Sequence, residues 1–509
     1  LDGSNNNIIG DENSALGVNN IAIGTSNEVC GDGNIAIGND LTACGGGGNV
    51  VIGGADNAIL SGEHNAIVGG HGNTIDGGND NHVSAGTDNT IGGTSDQNQV
   101  SGNANSLEGD SDRNDVSGDS NELVDADNNS VSGQSNSLFD TDNNIVGGMN
   151  NTILEGGNNS VVGEGNFIDP SFNNDVAGTN NNLTDSDNNA VVGDANSLNL
   201  SDNNSVAGTS NTLDSSFDNS VAGDSNEVMN GSDRNTVAGS SNSLNDADDN
   251  QVAGDDNVLN DAWDNTVSGN GNSLQNGADS NTVSGTDNTV DDADNNTVAG
   301  ASNALANGAD DNTVSGESNS LNNAEDNQVS GSFNELSNEA DGNTVAGTEN
   351  SLTNADNNQV AGQENLVADS DNNTVSGNNN QVLDGSNDNV VAGNNNYLDP
   401  SIGNSVVGTN NGLIDSNYNQ VAGDTNSLEE SDSNAVSGAD NSLYQSDENQ
   451  VAGDSNVLDN ADRNTVAGDS NVLTDADDNQ VAGDDNVLDN AWDNTVSGNG
   501  NSLQNGADS

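Results

Sequence analysis

The chain has 509 residues with 83 Asp and Glu against 3 Lys and Arg, a formal net charge of −80, 29% apolar and 2% aromatic residues, and 64 glycines. Too few large apolar residues are present to build the bulky cores that such a length usually implies; the charge disfavours nucleic acid, whose phosphates need Lys and Arg; and no apolar run approaches the roughly 18 residues of a membrane span. Low hydrophobicity with high charge ordinarily signals disorder, but this sequence keeps a register that a disordered chain has no reason to keep.

Residues 1–97 form an N-terminal section with a half-repeat of seven or eight residues, led by Asn13, Asn20, Asn27 and Asn34 and then by Asn49, Asn57, Asn65, Asn73, Asn81 and Asn89. Between them lie Ile21-Ala22-Ile23-Gly24, Glu28-Val29-Cys30-Gly31, Ile35-Ala36-Ile37-Gly38 and Thr42-Ala43-Cys44-Gly45, whose alternation predicts short strands. Ile21, Ile23, Ile35 and Ile37 point outward by that alternation, as do Val50 and Ile52. An apolar column on both faces of a sheet needs a partner, so the expectation is assembly with another copy of the chain, the other reading being a hydrophobic cap. Cys30 and Cys44 are 14 residues apart at the same place in the half-repeat. On adjacent coils their Cα atoms would lie about 5 Å apart, within disulfide range. A staple between coils suits an oxidising exterior compartment; two free buried thiols are the other reading. His64, His71 and His82 fall at loop or outward positions and read as solvated.

Residues 19–38, Asn-Asn-Ile-Ala-Ile-Gly-Thr-Ser-Asn-Glu-Val-Cys-Gly-Asp-Gly-Asn-Ile-Ala-Ile-Gly, resemble the 14-residue head repeats of YadA-like trimeric autotransporter adhesins, and the similarity extends over residues 13–77. The resemblance implies a left-handed parallel β-roll that trimerises and displays an adhesive surface. The rest of the chain departs from that family, and neither a coiled-coil stalk nor a barrel anchor is visible in it.

Residues 98–509 repeat one frame, N-x-V-x-G-x-x-N-x-L followed by an Asp-rich stretch. Its lead asparagines run from Asn98 to Asn494, 27 in number, with 20 spacings of 15 residues and six of 16, and a second Asn stands seven residues after every one. The alternation in N-x-V-x-G is that of a strand with Asn, Val and Gly on one side. The second Asn opens another short inward pair, as in Asn257-Val258-Leu259. The fold class predicted is all-β: a long parallel β-solenoid of coils of 14–16 residues, each with two short strands and two turns, stacked about 4.8 Å apart. In residues 98–509 the sixteenth residue, when present, follows the second apolar position. One Val and one Leu per coil do not offset the ordering of some 15 backbones. Stacked Asn columns, exemplified by Asn250, Asn257, Asn265, Asn272, Asn281 and Asn288, are therefore expected to bond above and below through their amides. Residues 250–280 and 479–509 are identical except at two positions, which reads as duplicated blocks in part of a longer array.

Two residues before the lead Asn, 18 of the 27 positions are Asp. Many belong to D-x-D-x-N strings: Asp125 with Asp127, Asp185 with Asp187, Asp246 with Asp248, Asp369 with Asp371, and Asp475 with Asp477. Carboxylates recurring at the coil spacing repel one another. Ca²⁺, which takes six to eight oxygens, would relieve this, as would molar salt, where the Debye length is about 3 Å; an Asp-rich chain without lysine suits a salt-loving source. Phe172, Phe217, Trp263 and Trp492 interrupt the column, which argues for an exposed loop without a metal at every coil. Sequons such as Asn128-Asn129-Ser130, Asn203-Asn204-Ser205 and Asn372-Asn373-Thr374 could carry glycans on an exported protein.

Uniform coils and the lack of a catalytic constellation point to a secreted, non-enzymatic structural protein: an extracellular filament, surface fibre or matrix rod built of identical chains. The main alternative is a cell-surface adhesin with an N-terminal oligomerising head, meeting surface glycans or a neighbouring cell. Ice binding is weaker, since only 9 of 27 lead asparagines are followed by Thr.

Overall fold

The computed structural model describes residues 4–504. They are all-β, with 66 strands alternating between two parallel sheets and no helix. The chain divides into two compact units, Leu1–Asp255 and Asp256–Ser509, and each is a parallel β-solenoid with stacked Asn columns.

In the second unit, strand Thr266–Asn270 pairs in register with Thr282–Thr286, setting Val267 on Val283 and Gly269 on Gly285 in one sheet. Leu259, Leu274 and Val290 stack in the other. Val267 is 1% exposed and Leu274 fully buried, so the core of a coil is one Val facing one Leu, as the repeat predicts. The first unit repeats the arrangement, for example Val237 on Val252. Its N-terminal coils begin at 14 residues, Asn34 bonding Asn20, and widen to 17, Asn98 bonding Asn81. The column is broken once in this stretch: Leu41 takes the place of an Asn and is fully buried, its backbone amide still bonded to Asn27 Oδ1.

The expectation of two turns per coil is corrected to three corners. The coil that starts at Asn281 turns at Asp287, Asp292 and Asn295, with φ of 55, 52 and 59°. Left-handed backbone favours Asn and Asp among non-glycine residues, because a short polar side chain can bond locally and offset part of the steric cost. This accounts for much of the Asn and Asp in the composition. In longer coils the sixteenth residue lies at the second corner, where Asn276 and Gly277 have φ of 55 and 80°. The third side of the coil is the Asp-rich stretch, and its middle residue is buried: Ala126, Ser186, Ala247 and Ala293 are all at 0% exposure. This inward column of small residues lies outside the two-strand picture. Where it is serine it forms its own ladder, the Ser201 amide donating to Ser186 Oγ at 3.1 Å and the Ser216 amide to Ser201 Oγ at 3.2 Å.

Candidate functional site: the Asn and acidic columns

The buried asparagines are fully engaged. The Asn272 backbone amide and its Nδ2 both donate to Asn257 Oδ1, at 3.1 and 3.0 Å, and Nδ2 also donates to the Gly285 carbonyl at 3.1 Å. Asn288 repeats the first pair of bonds onto Asn272, at 3.2 and 2.9 Å. In the lead column Asn281 donates its backbone amide to Asn265 Oδ1 at 2.8 Å and its Nδ2 to the Ala293 carbonyl at 2.9 Å. Asn265 Nδ2 reaches Ala278 and Asn257 Nδ2 reaches Gly269, while in the first unit Asn250 donates twice to Asn235 Oδ1. A carboxamide is suited to this, because it offers an acceptor and two donors at one position. Among the described residues the buried side-chain polar atom without a partner is Thr141 Oγ1.

The D-x-D-x-N strings divide into two roles. The first Asp of each pair (Asp125, Asp185, Asp246, Asp369, Asp475) is exposed at the second corner with φ of 46–50°. The second is half-buried, and in four of the five pairs it accepts a backbone amide from the preceding coil. Asp127 Oδ1 accepts from Asp112 N at 2.7 Å, Asp187 from Phe172 at 2.7 Å, Asp248 from Asp233 at 2.7 Å and Asp371 from Asp356 at 2.8 Å. Asp477 forms a parallel bridge with Trp492. The acidic column is therefore an acceptor ladder for amides on a side of the coil with little strand pairing. Asparagine fills the same role at Asn387, which accepts from Asp371 at 2.6 Å.

Burial pushes the carboxyls of Asp127, Asp233, Asp279 and Asp447 above their ordinary value of 3.8; the amide each one accepts opposes the rise, and the neighbouring carboxylates of the column add to it. All three arginines occupy the position before the lead Asn and reach one coil onward. Arg113 Nε donates to Asn128, Arg234 to Asp249 and Arg463 to Asp478, and the bond from Arg234 holds Asp249 below its ordinary range.

The group of three His, Cys, Asp or Glu residues whose ligand atoms lie within 4.8 Å of one another, among the described residues, is Glu28 with Cys30 and Cys44. Those two sulfurs are joined to each other across adjacent coils, with Cα atoms 4.5 Å apart. The Asp strings do not gather into such a trio, so a Ca²⁺ ion bound there would draw most of its six to eight oxygens from water and backbone. His71 Nε2 lies 3.0 Å from Asp56, with both side chains well exposed; His64 is exposed at a corner with φ of 56°.

Ile23 stacks between Ile9 and Ile37, and the column continues through Ile52 to Val68. Ile21, Ile35 and Val50 form a second column beside it. Both face away from the core: Ile21, Ile23, Ile35 and Ile37 are half-buried, while Ile9 and Val68 are 53% and 45% exposed. Among the described residues no helix is long and apolar enough to cross a membrane.

No protein-family model matches the chain, and no curated protein matches it. The repeat solenoid that the resemblance to YadA-like heads implies is present; membership of that family rests on no match.

Proposed function

We propose that this is a non-enzymatic structural protein that assembles with copies of itself into an extracellular filament or surface fibre. The observation that carries the reading is the outward Ile ladder of the N-terminal coils, Ile9 through Val68, set on a solenoid whose coils otherwise repeat with little variation. Contiguous apolar columns on the solvent face of a sheet are a contact surface. Replacing Ile23 and Ile37 together with Asp is expected to lower the mass in light scattering to that of a smaller assembly, with the circular dichroism of the sheet unchanged. An unchanged mass would make the ladder a cap. Electron microscopy of the native protein separates an open filament from the alternative, an adhesin with a discrete trimeric head that meets glycans or a neighbouring cell.

Screening of the acidic columns belongs to the same proposal. Molar salt, or Ca²⁺ bridging the carboxylate oxygens that accept no amide, relieves their repulsion. Without cations, mild acid substitutes for them. The carboxyls of Asp127, Asp233, Asp279 and Asp447 bind a proton more tightly in the folded chain than at their ordinary value of 3.8. Stability is therefore gained as pH falls through the raised folded values and is complete below the unfolded one. In low salt with chelator, the melting temperature is expected to be higher at pH 5 than at pH 7, and salt or millimolar Ca²⁺ at pH 7 is expected to raise it too. A melting temperature indifferent to all three would show that the columns are unstrained in water.

A further inference from the structure

The acidic residues of the second unit are not spread evenly over its surface. Its first sheet runs from strand Thr266–Asn270 to strand Thr495–Ser497, sixteen strands in all. At its first and third positions each presents two outward side chains, such as Thr266 and Ser268 or Gln420 and Ala422, while the fifth position of the longer strands, at the corner edge, includes the exposed Glu317 and Asp424. None of the thirty-two first and third positions is charged; they are Thr, Gln, Ser and Ala, with Val390 and Val407 the two larger aliphatic residues among them. The outward positions of the other sheet include Asp291, Glu335, Asp399, Glu429, Asp459 and Asp489, and the corners carry the acidic columns. The charge-free face is grooved between its larger and smaller columns: a depression of about 290 Å³ is lined by Ser405, Val407, Gln420, Ala422, Ala435 and Ser437, and one of about 190 Å³ lies between the same two columns at Thr313, Ser315 and Gln328.

From this we infer that the outer face of the first sheet in the second unit is a lateral docking surface for the same face of a second copy of the chain. Three arguments select that occupant. A copy carries the same net charge of −80, so two chains can meet closely only where no carboxylate is desolvated, and this face meets that condition on both sides. A copy also has the same coil spacing by construction, so side-chain rows of one sheet meet grooves of the other along the whole contact, as in face-to-face sheet packing about 10 Å apart. The area suffices: sixteen strands at about 4.8 Å, across two columns about 10 Å wide, give roughly 750 Å² per partner, close to the roughly 800 Å² of a stable interface. The acidic corners remain at the rim in water, which makes the contact salt-dependent.

The surface is independent of the N-terminal Ile ladder, and the test keeps the two apart. In full-length chain already carrying Ile23→Asp and Ile37→Asp, mass is measured by sedimentation in 2 M and 0.1 M NaCl. Association is expected to persist at high salt and to fall at low salt. Adding Ala361→Asp and Ala422→Asp, both exposed on the proposed face, is expected to shift the equilibrium at least tenfold toward monomer. Adding Ser320→Asp and Ser427→Asp, equally exposed on the other sheet, adds the same charge and is expected to leave it within about twofold. The inference is overturned if the ladder variant is already monomeric at high salt, if the two added pairs act alike, or if a monomeric chain instead binds crystalline chitin, cellulose or ice through this face.

Discussion

Asn272→Asp will be among the most damaging single substitutions in the chain at neutral pH, although it exchanges one NH₂ for one oxygen. Asn272 is fully buried, and its Nδ2 lies 3.0 Å from Asn257 Oδ1 and 3.1 Å from the Gly285 carbonyl oxygen. A carboxylate there would turn two donated bonds into two oxygen–oxygen repulsions. A fully buried carboxyl is raised by about 3–5 pH units, so at pH 7 folding must take up a proton, and the roughly 3 units between the unfolded value and pH 7, each worth about 1.4 kcal/mol, make the cost about 4 kcal/mol. The sign with pH follows. The folded pKa is raised, so the penalty fades as pH falls through it, and the protonated acid regains one donor. Asn323→Asp, at an exposed corner, is expected to change stability by less than about 0.5 kcal/mol. Denaturant unfolding of both variants at pH 7 and pH 4 measures the difference. Because each coil contacts mainly its neighbours, proteolysis should place the damage of Asn272→Asp near that coil.

Gly208→Ala is expected to be nearly as severe, for a reason in the backbone. Gly208 has φ of 131°, a conformation open essentially to glycine alone. A Cβ there would sit 1.9 Å from the carbonyl oxygen of Gly223 on the next coil. That atom is main chain held by the sheet, so relief requires opening the strand pairing that sets Gly208 on Gly223. Backbone strain and overpacking together are worth about 2–6 kcal/mol. Hydrogen exchange of strands Ser205–Thr209 and Ser220–Asp224 should rise in the variant while strands far along the first unit keep their protection. Uniform protection would mean that the glycine column is permissive.

These two positions belong to the part of the fold that is legible in the sequence. N-x-V-x-G and N-x-L repeat residue by residue because each fixed position meets a single chemical requirement, the Asn and apolar residues inside the coil and the glycine against the next one. The carboxamide must both accept and donate, the apolar side chain must fill the core, and the glycine must admit a neighbouring carbonyl. The third side of the coil is illegible for the opposite reason. Its inward residue needs only to be small, so Ala126, Ser186 and Thr141 share one column and look like loop composition. The D-x-D strings suggest metal ligands because two carboxylates flank one residue. In the structure Asp125 serves a left-handed corner and Asp127 an amide of the preceding coil, two backbone requirements that favour Asp for different reasons. Asn387 in the second role shows that the amide requires an acceptor and does not require a charge.

The asparagine columns are what hold the coils together, and exchange of their side-chain amide protons tests this most directly. In protein labelled with ¹⁵N at asparagine, the Nδ2 protons of the buried columns, Asn272, Asn281 and Asn288 among them, should be protected by orders of magnitude relative to exposed corner asparagines such as Asn323. Side-chain amides of the columns exchanging as freely as those of the corners would contradict it, and would leave the coils held by the backbone ladders of the two sheets and their thin core.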